Sequence, residues 1–273
     1  MILDDLVKAT RKRIEEEKQK VSPQQMKAKA IAAYEEEIKS QKEPFAFEKA
    51  LSGDDIHFIC EVKKASPSKG IIAEDFPYID IAKDYEKAGA SAISVLTETD
   101  YFLGSIDYLR EIRESGVTTP LLRKDFTIDE YMIYQAKVYG ASAILLICAI
   151  LDEKTLKKYI EIADSVGLSA IVEAHDESEV EMAVKSGARI IGVNNRNLKD
   201  FTVDIQNSIA LRKLVPIEKG IIFVAESGIK TSEEIKKLRE EQVNAVLIGE
   251  TLMKATDKKE MLDKLRGKKY IEE

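Results

Sequence analysis

Short runs of apolar, β-branched residues recur along most of this chain at nearly even spacing. That recurrence constrains the fold more than any other feature. Eight runs are present: His57–Val62, Ala92–Leu96, Pro120–Arg123, Ala143–Cys148, Ser169–Val172, Arg189–Val193, Ile221–Ala225 and Ala245–Ile248. Their mean interval is about 27 residues, which suits one strand, one helix and their loops. Helical patterns lie between them, at Ile79–Lys87, Tyr108–Glu114, Glu153–Ser165, Glu177–Lys185 and Ser232–Glu240. Several of these segments end in Gly followed by small or polar residues, as in Gly89-Ala90-Ser91 and Gly140-Ala141-Ser142. Gly just past a helix end adopts the left-handed conformation cheaply. Continuous apolar strands are buried on both faces, as in a parallel sheet covered by helices. Eight such units favour a closed (β/α)8 TIM barrel over an open doubly wound sheet. The expected fold class is therefore α/β.

The first 50 residues stand outside the repeat. Leu3, Leu6, Val7, Thr10 and Ile14 make a narrow stripe at helical spacing. Ser22 and Pro23 suit the N-cap and first position of a second helix. Phe45, Phe47 and Leu51 form an apolar anchor. Periodicity fits either a helix packed on the barrel wall or a cap over one barrel end. We expect residues 1–50 to be a helical extension capping the barrel mouth and residues 56–273 to be the barrel, all in one domain.

Composition removes several chemistries. The 273 residues carry 42 Lys+Arg against 49 Asp+Glu, a net charge of −7, which disfavours nucleic acid or an anionic membrane as partner. Cys60 and Cys148 sit in apolar runs with no CxxC pair, so buried reduced thiols are expected rather than a zinc site or redox dithiol. The two histidines, His57 and His175, lack HExxH or HxH spacing, and no metal is expected. GxSxG, GxGxxG and GxxxxGK[ST] motifs are absent. The start, MILDDLVKATRKR, has no apolar signal core, and no apolar run reaches the roughly 18 residues of a membrane span. A cytoplasmic protein is expected.

In a barrel of this kind, chemistry sits where strands end. Glu61 and Lys63 end the first strand, two apart and therefore on one side. Lys124, Glu173, Asn194 and Glu226 end the third, fifth, sixth and seventh. One such residue alone is explained by a strand entering water. Together they would converge on one mouth, where buried Lys and Glu perturb each other's proton affinities. With so few histidines, proton transfer falls to Lys and Glu. Ser227-Gly228 and Gly249 place small residues at the ends of strands seven and eight, the usual phosphate position in this fold. Lys63 and Ser66 could add a cation and a hydroxyl.

The segment Glu61-Val62-Lys63-Lys64-Ala65-Ser66-Pro67-Ser68-Lys69-Gly70 resembles the hallmark of indole-3-glycerol-phosphate synthases. The runs LTE…YFLGS, LRKDF, VEAH, GVNNRNL, AESGI and LIGE resemble that family in the same order. The resemblance implies ring closure of 1-(2-carboxyphenylamino)-1-deoxy-ribulose 5-phosphate to indole-3-glycerol phosphate, with loss of CO2 and water, in tryptophan biosynthesis. It implies no cofactor and a small phosphorylated substrate as the partner. It makes Lys124 the general acid on the ketone oxygen, Lys63 a contact for the substrate's carboxylate and phosphate side, and Glu173 the proton partner in dehydration. Glu61, Asn194 and Glu226 would fix hydroxyls and orient the lysines. Phosphate would rest on Ser66, Ser227, Gly228, Gly249 and Glu250. Leu96, Phe102, Phe126, Leu145 and Leu198 would form the ring slot, and Arg196 would meet the carboxylate. A monomer or weak homodimer is expected. Three rivals share parts of this pattern: a Schiff-base aldolase, a phosphoribosylanthranilate isomerase type of barrel, and a silent scaffold.

Overall fold

The computed structural model describes residues 2–197 and 201–268. Eight strands form a closed parallel barrel: β1 (His57–Val62), β2 (Ala92–Leu96), β3 (Leu121–Lys124), β4 (Ala143–Ile147), β5 (Ser169–Ala174), β6 (Ile190–Asn194), β7 (Ile222–Glu226) and β8 (Ala245–Ile248). Each pairs with its neighbours in chain order, and β8 returns to β1, with His57 opposite Ala245. Helices α1 (Ile2–Lys20), α2 (Pro23–Lys39) and α3 (Ala46–Ala50) precede the barrel. Between strands run α4 (Tyr78–Lys87), α5 (Asp107–Glu114), α6 (Glu130–Val138), α7 (Glu153–Ser165), α8 (Glu177–Lys185), α9 (Gln206–Arg212) and α10 (Ser232–Glu240). Then α11 (Glu250–Lys254) and α12 (Lys258–Leu265) follow β8. No described helix is long and apolar enough to cross a membrane.

The barrel follows from alternation within each strand. Phe58, Cys60 and Val62 point outward and pack with helical residues such as Ile81, Tyr85 and Leu109. Ile59, Leu122, Ile171, Ile190, Val224 and Leu247 point inward and fill the interior. The same parity, carried up each strand, brings Glu61, Lys124, Glu173, Asn194 and Glu226 to the inner side at the mouth. The expected strands and helices are all present, with ends displaced by at most two residues. Gly89 and Gly140 have positive φ of 78° and 84°, as the helix-end reading requires. Cys60 and Cys148 are free and buried, and burial pushes both thiols up to about 12.

Helix α6 carries no amphipathic pattern, because α2 covers its outer face. Tyr131 through Lys137 are all buried in it. Helix α2 starts as its sequence suggests: Ser22 caps it, Gln25 completes the capping box and Pro23 opens the first turn.

The extension contacts both barrel ends. In α1, Leu6, Thr10 and Ile14 are buried, and Leu3 and Leu6 border the mouth cavity. At the opposite end, Phe47 and Leu51 are fully buried among the inward-facing strand residues. The Glu48 N–H donates to Ser169 Oγ at 3.3 Å, and Ser169 opens β5, so α3 lies where the strands begin. A cap over the mouth alone is therefore too narrow a description. Apolar spacing states that Phe47 is buried, not at which end. Phe47→Ala leaves a cavity at the barrel floor and is expected to cost about 3–5 kcal/mol. Urea unfolding would show this as a lowered midpoint at unchanged slope.

Candidate active site

A cavity of about 750 Å³ opens at the strand ends. Its wall includes Glu61, Lys63, Ser66, Leu96, Phe102, Lys124, Phe126, Leu145, Glu173, Asn194, Arg196, Glu226, Ser227, Gly228, Gly249 and Glu250. Those are the site residues named from sequence, with one exception: Leu198 lies outside the described residues.

Lys124 occupies the centre. Its Nζ donates to Glu173 Oε2 at 2.8 Å and to Glu226 Oε2 at 2.7 Å. Burial alone would lower the lysine's proton affinity. Attraction to Glu173, Glu226 and Glu61 more than offsets that and raises it well above the ordinary range. Lys124 is therefore an ammonium throughout the physiological range. For Glu173, burial pushes the carboxyl up, but Lys124, His175 and a hydrogen bond from Asn194 (3.2 Å) hold it below the usual range. For Glu226, burial and repulsion from Glu173 and Glu61 prevail over Lys124 and push it up. Its Oε1 is buried without a hydrogen-bond partner among the described residues.

A second pair, Lys63 with Glu61, sits beside the first. Gly249 makes room for it: a Cβ there would overlap Glu61 Oε2 and stand 2.7 Å from Lys63 Nζ. Gly192 does the same for Glu226, whose Oε1 a Cβ would overlap. The rest of the wall divides by chemistry. Leu96, Phe102, Phe126 and Leu145 are apolar, with the two rings 6.3 Å apart and tilted. Ser227 and Gly228, just past the end of β7, have consecutive positive φ of 70° and 83°. The Arg196 backbone N–H donates to Asn194 Oδ1 at 3.0 Å, and its guanidinium donates to the Phe201 carbonyl at 3.2 Å.

Several supporting residues were not singled out from sequence. Asp125, next to Lys124, is fully buried between two arginines. Arg13 of α1 grips it at 2.7 and 2.8 Å, and Arg123 approaches at 3.2 Å. Thr97 Oγ1 donates to it at 2.6 Å. Burial pushes the Asp125 carboxyl up, but both arginines and Thr97 hold it below the usual range. His175 is another such residue, one step past the end of β5. The sequence signal for both is local, a titratable residue one or two positions past a strand-end Lys or Glu, but their partners lie on other elements.

Removing Asp125 leaves two guanidinium groups facing each other. Asp125→Ala is expected to destabilise the fold by about 3–5 kcal/mol. The sign with pH follows from the depressed carboxyl: its contribution is full above the ordinary carboxylate range and is lost as pH falls through its folded value. Thermal melts of parent and variant should therefore converge as pH falls below the ordinary carboxylate range.

The family model for indole-3-glycerol phosphate synthase matches residues 3–265. The chain is 57% identical over 267 residues to the indole-3-glycerol phosphate synthase of Ruminiclostridium cellulolyticum, covering 98% of this chain and 99% of that one. It is 54% identical over 266 residues to that of Endomicrobium trichonymphae, covering 97% and 100%. Among solved structures, 3-hexulose-6-phosphate synthase from Salmonella typhimurium superposes with a TM-score of 0.63 at 16% identity, over 78% of this chain and 97% of that one. That likeness concerns the barrel fold. On the full-length sequence matches, the chain belongs to the indole-3-glycerol phosphate synthase family.

Proposed function

We propose that the mouth cavity performs this family's reaction, ring closure of 1-(2-carboxyphenylamino)-1-deoxy-ribulose 5-phosphate to indole-3-glycerol phosphate, with Lys124 as the general acid. The observation that carries this reading is the doubly paired Lys124 beneath an apolar wall. A buried ammonium stabilises negative charge developing on the ketone oxygen as the aromatic carbon attacks, and it carries the proton that oxygen needs. Loss of CO2 restores aromaticity at the attacking carbon. Dehydration then requires a proton on the departing hydroxyl and an acceptor for the proton lost from carbon. Glu173, held ionised, is the acceptor. Lys63 donates toward the substrate's carboxylate and phosphate side and assists the departing hydroxyl. Glu61, Asn194 and Glu226 set the positions of the lysines and Glu173.

Leu96, Phe102, Phe126 and Leu145 take the aromatic ring. Ser66, Ser227, Gly228, Gly249 and Glu250 surround the phosphate, and Arg196 meets the carboxylate. The Schiff-base alternative is disfavoured by the same ion pairs. An amine must be neutral to attack a carbonyl, and the paired acids Glu173 and Glu226 keep Lys124 charged.

Lys124→Ala should lower turnover by about 10²–10⁴-fold, followed by the fluorescence of the indole product. Activity within threefold of the parent would remove Lys124 from its role. Borohydride in the presence of substrate should leave Lys124 and Lys63 unmodified; covalent trapping would favour the aldolase reading. Gly249→Ala displaces the Glu61–Lys63 pair and should reduce kcat/KM by about 10²-fold, in line with small misplacements at other active sites, while far-ultraviolet circular dichroism stays unchanged.

A further inference from the structure

Lys124 is almost equidistant from two acids, 2.8 Å from Glu173 and 2.7 Å from Glu226. Two buried carboxylates beside one ammonium compete for one proton. The chemistry above needs Glu173 ionised, so that proton must not rest on Glu173. The lysine, placed evenly, does not decide between them.

His175 breaks the symmetry. Its Nε2 stands 3.4 Å from Glu173 Oε1, the oxygen that Lys124 does not hold. That nitrogen is buried and makes no hydrogen bond among the described residues. The other ring nitrogen, Nδ1, lies 3.1 Å from Glu179 Oε2 on α8, and the His175 backbone N–H donates to the same oxygen at 2.7 Å. Asn207 of α9 donates to the His175 carbonyl at 3.3 Å. The ring is thus held through Nδ1, and the backbone of the residue through its N–H and its carbonyl. The groups facing it are Glu173 near the end of β5, Glu179 and Asp176 around the start of α8, and Glu226 across the mouth; the Cys148 thiol after β4 meets the Glu179 carbonyl at 3.5 Å. All the ionised groups among these are anionic and favour the imidazolium.

We propose that His175 is a positioning residue: held as a cation by Glu179, it keeps Glu173 ionised and leaves the shared proton to Glu226. The inference rests on the reading of Glu173 as the proton acceptor. A cation at this distance favours the charged carboxylate, and among the described residues Glu226 has no ion-pair partner besides Lys124. The proton affinities run the same way. Burial lowers that of His175, yet Glu179 and Glu173 raise it overall, while Glu173 is held down and Glu226 pushed up.

The test is a pH titration of the full chain carrying 13C-labelled glutamate carboxyls, without substrate, followed by NMR. Glu173→Gln assigns the Glu173 signal. In His175→Gln the Glu173 midpoint should rise by about one unit or more, the usual effect of losing an adjacent opposite charge, and the gap to Glu226 should narrow. Glu179→Gln, which leaves the imidazole in place, should move Glu173 the same way by less. An unmoved Glu173 midpoint in either folded variant overturns the proposal. The acid limb of kcat/KM should shift upward in step with Glu173. If the midpoint moves and the limb does not, His175 still sets the ionisation, and Glu173 is not the acceptor.

Discussion

The barrel mouth depends on one shared ammonium. Lys124 pairs with two buried acids at once, and without it the Glu173 carboxylate would lose its 2.8 Å partner and Glu226 its 2.7 Å one. Everything nearby is arranged around that constraint. Glu61 and Lys63 form a second pair, so the mouth holds three acids and two ammonium groups. With the proton on Glu226, the remaining four charges, Glu61 and Glu173 against Lys63 and Lys124, cancel before substrate arrives. Gly192 and Gly249 contribute by what they lack, since a methyl group at either would push into a carboxylate of this cluster.

The central lysine is also tied to the first helix through its chain neighbours. Asp125 follows Lys124 directly, and Arg13 of α1 holds it with two hydrogen bonds. Lys18 and Glu17 of α1 reach Asp129 and Gln135 on the next helix, both at 2.7 Å. The segment bearing the lysine is therefore fixed from the inside by carboxylates and from the outside by α1. Two independent sets of charged contacts meet at neighbouring residues of one strand.

Much of this arrangement is legible in the amino-acid sequence. Strands buried on both faces read as apolar runs, and the parity that puts Ile59 inside puts Glu61 inside as well. The site residues at strand ends follow from that parity and from the hallmark segments. What the sequence hides has identifiable causes. Helix α6 lost its periodic signature because α2 supplies a second apolar neighbour, so polar residues are not needed on its outer face. Helix α9 is seven residues long and buries Ser208 and Arg212, which obscures a stripe. The role of Phe47 at the barrel floor depends on direction, and spacing carries none. His175 lies two positions after Glu173 in sequence, but its meaning comes from a ring nitrogen 3.4 Å from one particular oxygen.

The extension is seated by contacts that are remote along the chain. Arg13 meets Asp125 across 112 positions, and Glu48 meets Ser169 across 121. Such contacts form only after long loops have closed. During synthesis these first helices emerge well before the strands that receive them. Their dense charge suits that interval: α1 exposes a hydrated surface in which only a thin stripe awaits a partner. The composition of these helices thus lets them wait in water for strands made after them, without a shelter of their own.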